Sequence, residues 1–206
     1  MRSRSDEATR VARIEAMGDR LGVVYDALYN DVLWLQTKWS QLSALFLTSP
    51  ERTRALFEVA EFFFLVIRGT LWEDCLLHIA RLTDKATQGD YENLSILCLP
   101  ALVEDPALRS MVQSRVDRAV HDADFARTYR DKYLAHADRG FALETVDSLP
   151  PVEVEDVERV LADLRSVVNS LQEHYFGEPI QIQDVATFSD AETLVNRLLG
   201  DGSSRA

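Results

Sequence analysis

The scarcest residues in this chain are the ones that turn it. Only 8 glycines and 6 prolines occur among 206 residues, about 7% where roughly 12% is usual. A chain so poor in turn residues cannot connect many short strands, so long helices are the expected product. Hydrophobic residues make up 47% and charged residues 27% of the sequence, which is the composition of a packed globular chain. The expected fold is all-α: an antiparallel helical bundle over about residues 8–176, with a short C-terminal helical extension over about 177–206, together one domain.

The few breakers punctuate the bundle. An amphipathic stretch from Ala8 to Leu47 contains no proline and is loosened early by Gly18 and Gly22. Ser49-Pro50 reads as an N-cap followed by proline at the first helical position, opening a helix to about Asp84. Its middle, Phe57 to Leu71, is apolar nearly all round, which predicts burial inside the bundle. A polar loop over 87–93 and a short apolar segment over 94–102 follow. Asp105-Pro106 starts another helix, expected to reach Ala137 before Gly140. An acidic-headed helix follows Pro150-Pro151, from Glu153 to Tyr175. In the extension, Ile180 to Ile182 suggests a short strand, and Ser189 with Glu192 a capping-box helix.

Charge and cysteine content narrow the function. The net charge is −12, and a uniformly acidic surface repels phosphate backbones. The longest apolar run, Phe62 to Ile67, is far short of the ~20 residues that span a bilayer. No signal-peptide pattern follows the N-terminal arginines. Cys75 and Cys98 form no Cys-x-x-Cys pair and read as reduced core thiols. A cytoplasmic setting with no membrane contact is the expectation. No metal-ligand spacing, phosphate loop or serine elbow is present, so neither a metal nor a cofactor is expected.

One segment runs against the acidity. Between Arg109 and Arg139, seven Lys/Arg face five Asp, a net of +2. At 100° per residue, Leu108, Val112, Val116, Ala119, Ala123, Ala126, Tyr133, Leu134 and Ala137 share one apolar arc, and Arg130 lies in its middle. A guanidinium on such a seam needs an anionic partner, because an unpaired buried charge costs several kcal/mol. His136 follows six residues later, near the expected helix end. It reads either as a surface or capping histidine or as a second group on one phosphate. Arg115 and His121 show the same spacing, so spacing alone decides little.

The wording around the second pair says more. Arg130-Asp131-Lys132-Tyr133-Leu134-Ala135-His136 resembles the Arg-x(4–6)-His motif of the HEPN superfamily, in which Asn, Asp or His commonly follows the arginine. Together with His78-Ile79-Ala80-Arg81-Leu82-Thr83-Asp84, it is most similar to abortive-infection U-type (AbiU-like) proteins. The resemblance implies a helical homodimer whose two motifs meet in a cleft and, in catalytic members, a metal-independent endoribonuclease leaving 2′,3′-cyclic phosphate ends. Carried onto this chain, Arg130 would hold the scissile phosphate and His136 would move protons. Asp131 would orient either of them or face solvent.

A polar stripe, Asp74, His78, Arg81 and Lys85, runs along the preceding helix at steps of four, three and four. It reads as a salt-bridged strip, with a second wall of a phosphate pocket as the alternative. Two further readings stand beside the nuclease. One is a non-catalytic module that binds a nucleotide or a protein; the other is a component held in check by an antitoxin.

Overall fold

The computed structural model describes residues 5–134, 150–179 and 190–200. It is an all-α helical bundle with one small hairpin. In chain order the helices are α1 (Glu7–Met17), α2 (Asp19–Leu42), α3 (Pro50–Leu82), α4 (Pro106–Asp122), α5 (Asp124–Tyr129), α6 (Val154–Phe176) and α7 (Ala191–Leu198). Wide π-helical turns occupy Ser43–Leu47 and Arg130–Leu134. The hairpin, β1 (Thr87–Gln88) and β2 (Tyr91–Glu92), and two 3₁₀ turns, Ile96–Cys98 and Pro100–Leu102, lie between α3 and α4. The strand expected at 180–182 lies outside the described residues.

The chain divides into two compact units. The first comprises Met1–Trp34 and Leu76–Ile182. In it, α4 packs along α6, with Val112, Val116 and Ala119 on one side and Val160, Leu164 and Val167 on the other all buried. Gly18, at φ +80°, separates α1 from α2. Gly22 does not loosen the chain: it lets the two helices approach, since a Cβ there would lie 2.6 Å from the Ile14 Cα. Between the same helices, Arg13 Nη1 donates to Asp26 Oδ1 at 2.6 Å, and its guanidinium lies 3.9 Å from the Tyr29 ring centroid.

The second unit comprises Leu35–Cys75 and Gln183–Ala206. Trp39 and Trp72 pack at 5.9 Å, and Phe46 meets the edge of Phe64 at 6.5 Å. Helix α7 sits on the π-turn of Ser43–Leu47. Its cap is Asp190, which accepts from the Thr193 amide; the Ser189 expected in that role lies outside the described residues. Glu192 pairs instead with Arg52 at 2.8 Å.

Helix α3 begins where the Ser49-Pro50 cap predicts, with Ser49 Oγ accepting from the Arg52 amide. The expected burial of its middle is overturned. Phe62 is 82% exposed, and Val59, Phe63 and Val66 each at least 60%. Only Phe64 of this stretch is buried. The all-round apolar pattern marks a surface that the other described residues leave uncovered. An extended residue, Ala60 (φ −159°), breaks the helix beside it.

The helix expected from Asp105 to Ala137 also differs. Asp105 caps α4, but the helix breaks at Ala123 (ψ 6°), resumes as α5, and widens into the π-turn at Arg130. The α-helical phase therefore fails beyond Ala126: Tyr133 is 62% exposed, whereas Leu108 to Ala126 of the arc are buried as expected. Among the described residues, no helix is long and apolar enough to cross a membrane.

Candidate functional site

The first unit brings the two motif-bearing stretches together. Leaving α3, Thr83 folds its hydroxyl back onto the Ile79 carbonyl at 2.9 Å, and the Asp84 amide donates to the Arg81 carbonyl. The Asp84 carbonyl accepts from buried Ser95 Oγ at 2.6 Å, which anchors this corner to the segment ahead of the 3₁₀ turns. The Asp84 carboxylate is thereby held in one place. It receives Arg130 Nη1 at 2.5 Å, while Arg130 Nε donates to Asp131 Oδ1 at 2.8 Å.

Arg130 is thus the charge on the seam, and Asp84 and Asp131 are the anions it needed. Its side chain is only 19% exposed. The Asp131 hydrogen bond and the Asp84 charge raise its pKa further above the ordinary value, against its partial burial. One turn earlier, Arg127 Nη1 reaches Thr83 Oγ1 at 3.2 Å, and its Nη2 reaches the Val120 carbonyl and Asp124. Two arginines therefore tie the α5 end to the 83–84 corner. The π-turn beginning at Arg130 is a rare geometry that recurs at functional positions.

The other expected site residues scatter. His136 lies outside the described residues. His78 is buried, at 2% exposure. Arg81 is exposed and faces Asp31 at 3.9 Å. Asp74 belongs to the second unit, where it pairs with Lys38. Lys85 is exposed, its amide donating to Asp84 Oδ1. Arg115 donates to the Ser166 carbonyl at 2.7 Å, and His121 pairs with Asp122 at 2.9 Å. Among the described residues, no three His, Cys, Asp or Glu side chains are placed to hold a metal.

Sequence reasoning missed Asp84 and Arg127 as members of this cluster. The available signal for Asp84 was its place at the end of the second motif-bearing stretch, next to Thr83. For Arg127 it was the one-turn spacing to Arg130.

An all-helical bundle carrying the Arg130-Asp131 start of the motif and the His78–Asp84 stretch is the class of protein that the resemblance describes, the HEPN superfamily. Within it, the AbiU2 family model matches residues 19–194, and the chain belongs to that family. No curated protein and no solved structure matches the chain.

Proposed function

We propose that the chain is a HEPN-type endoribonuclease that acts in the cytoplasm as a homodimer, in abortive infection. The observation that carries the reading is the Arg130 clasp. A half-buried guanidinium at a π-turn is held by two carboxylates, one of them 59% exposed, so its donors are fixed in a geometry that fits an anion. An RNA phosphate would take the place of Asp131, and Arg130 would then stabilise the charge that develops on phosphorus. His136 would accept the ribose 2′-hydroxyl proton as the 2′-oxygen bonds to phosphorus, and a proton would return to the departing 5′-oxygen. The product is a 2′,3′-cyclic phosphate. No metal is needed for these steps, and the acidic flanks restrict which RNA approaches.

The test is RNA cleavage by the purified chain in EDTA, with the product ends analysed. Cleavage is expected to leave 2′,3′-cyclic phosphates and to be lost in both Arg130→Ala and His136→Ala while circular dichroism stays unchanged. Activity that survives both substitutions would overturn the assignment.

A second reading is favoured by the same contact. Two carboxylates already neutralise Arg130, as in a structural tie within a non-catalytic module that binds a nucleotide, an antitoxin or another protein. In that case Arg130→Ala lowers stability, His136→Ala is silent, and no RNA is cut.

A further inference from the structure

We propose that the cavity bordered by Gln113, Asp117 and Arg127 is a guanosine subsite, which takes the nucleoside adjoining the phosphate at Arg130. That place beside the reacting phosphate rests on the nuclease reading; the recognition of guanine does not. The cavity measures about 590 Å³, within the ~300–1,000 Å³ of small-ligand sites. Its apolar lining is Leu97, from the first 3₁₀ turn, and Val120, from α4, both half-buried. A flat base has a surface to lie against there, with polar side chains along its edge.

Those polar side chains identify the base. Gln113 Nε2 donates to Asp117 Oδ1 at 2.7 Å across one turn of α4. The bond couples the two side chains and leaves Gln113 Oε1 and Asp117 Oδ2 as neighbouring acceptors, one of them charged. Guanine carries N1–H and its 2-amino group side by side on the Watson–Crick edge, two donors for such a pair. Adenine and cytosine present a donor beside an acceptor there, and uracil a single N–H between two carbonyls. Each of these sets an acceptor against one of the two oxygens, which costs affinity. Only an unpaired base offers that edge at all.

The cavity also adjoins the Arg130 site. Arg127, on its wall, donates to Thr83 Oγ1 at 3.2 Å, and Arg130 to Asp84 Oδ2 at 2.5 Å. The two guanidinium groups therefore end on consecutive residues of one corner, a separation that a nucleoside and its own phosphate can bridge. Asp124, also on the wall, holds Arg127 Nη2 at 3.1 Å. Gln113 and Asp117 border a second cavity, of about 630 Å³, that reaches Arg109. It leaves room for a longer RNA to continue past the base.

Titration calorimetry of the full chain with the 3′- and 5′-monophosphates of all four nucleosides tests this. Guanosine monophosphate is expected to bind on the order of 10-fold more tightly than the other three. The tighter of its two isomers shows on which side of the phosphate the nucleoside lies. Asp117→Asn, which replaces the charged acceptor by an amide, should cut the preference to about 2-fold. Asp117 is exposed, so circular dichroism should not change. Arg130→Ala should weaken all four alike and keep the preference.

Four bases bound equally, no binding of guanosine monophosphate at millimolar concentration, or a preference undiminished in Asp117→Asn would each overturn the proposal. Failure of the nuclease reading is separate: it appears as uncut RNA while guanosine monophosphate still binds selectively through Asp117.

Discussion

Asp84 and Arg130, 46 residues apart in the chain, meet through a charge-assisted hydrogen bond of 2.5 Å. The bond links the foot of α3 to the π-turn after α5 and leaves Arg130 neutralised while no other anion is present. Any phosphate that uses Arg130 competes with carboxylates for it, so the clasp sets the threshold for anion binding.

Asp84→Asn should therefore separate the two roles of this contact. The amide keeps the shape and one acceptor oxygen, which can serve Arg130 but not also the Lys85 amide, and it removes a charge, so affinity for a short RNA should rise by roughly 3–10-fold. Stability should fall by only about 1 kcal/mol, because the pair is partly solvated. Fluorescence anisotropy with labelled RNA and urea unfolding measure the two quantities. Lower stability with unchanged anion affinity would favour the purely structural tie.

Gly22 tests the packing of α1 on α2. An alanine Cβ would stand 2.6 Å from the Ile14 Cα and 2.9 Å from the Arg13 carbonyl oxygen. Backbone atoms cannot step aside as a side-chain tip can, so the helices must separate. Gly22→Ala should cost about 1–3 kcal/mol despite the better helix propensity of alanine, read as a lower urea midpoint with an unchanged slope. A stabilised variant would mean that the two helices shift apart freely.

The part of the site that was legible in the sequence is the part governed by local physics. Arg130 stands out because a guanidinium among Val116, Ala119, Ala123 and Ala126 demands an anion, and the structure supplies Asp84. Which anion was not legible, since the choice depends on how Ser95 fixes a corner 11 residues away in sequence and on a tertiary contact. The π-turn escaped notice because Arg-Asp-Lys-Tyr-Leu contains no residue that resists an ordinary helix. The helix starts at Pro50 and Pro106 were legible because a cap is a contact within one turn. The middle of α3 was misread for a different reason: an apolar surface reports that cover is needed, and says nothing about which chain supplies it.

Between α4 and α6, Asp163 and Asp122 form a second close charge relationship. Burial raises the Asp163 pKa above the ordinary carboxylate value, and the Asp122 hydrogen bond adds to this. Asp122 is lowered, chiefly by its hydrogen bond with His121. Among the described residues, Asp163 Oδ2 is buried without a hydrogen-bond partner. Because the folded pKa of Asp163 exceeds its unfolded value, its protonated form favours the fold at low pH. That contribution is lost as pH rises through the raised pKa. Asp163→Asn, neutral at every pH, should stabilise the chain by about 1 kcal/mol at pH 8. The gain should shrink as the pH falls toward the ordinary carboxylate range. Urea midpoints for both proteins across that span give the comparison, and a difference independent of pH would contradict the assignment of the raised pKa to Asp163.

The Arg13–Asp26 pair offers a sharper energetic test, because both side chains are almost wholly enclosed, at 6% and 9% exposure. Asp26 also accepts from Asn30 Nδ2 at 3.2 Å, and Arg13 donates to Ser5 Oγ at 2.6 Å. Removing the guanidinium leaves the carboxylate with Asn30 as its one weak side-chain donor among the described residues, in a dry place, and removes the cation stacked on Tyr29. Arg13→Ala should cost about 3–5 kcal/mol. Replacing both residues, as Arg13→Met/Asp26→Leu, should recover much of that loss, since apolar side chains of similar volume need no counter-charge. Thermal or urea unfolding of the wild type, the single variant and the double variant decides it. A double variant as unstable as Arg13→Ala would show that the guanidinium acts through its packing on Tyr25 and Tyr29, and not through Asp26.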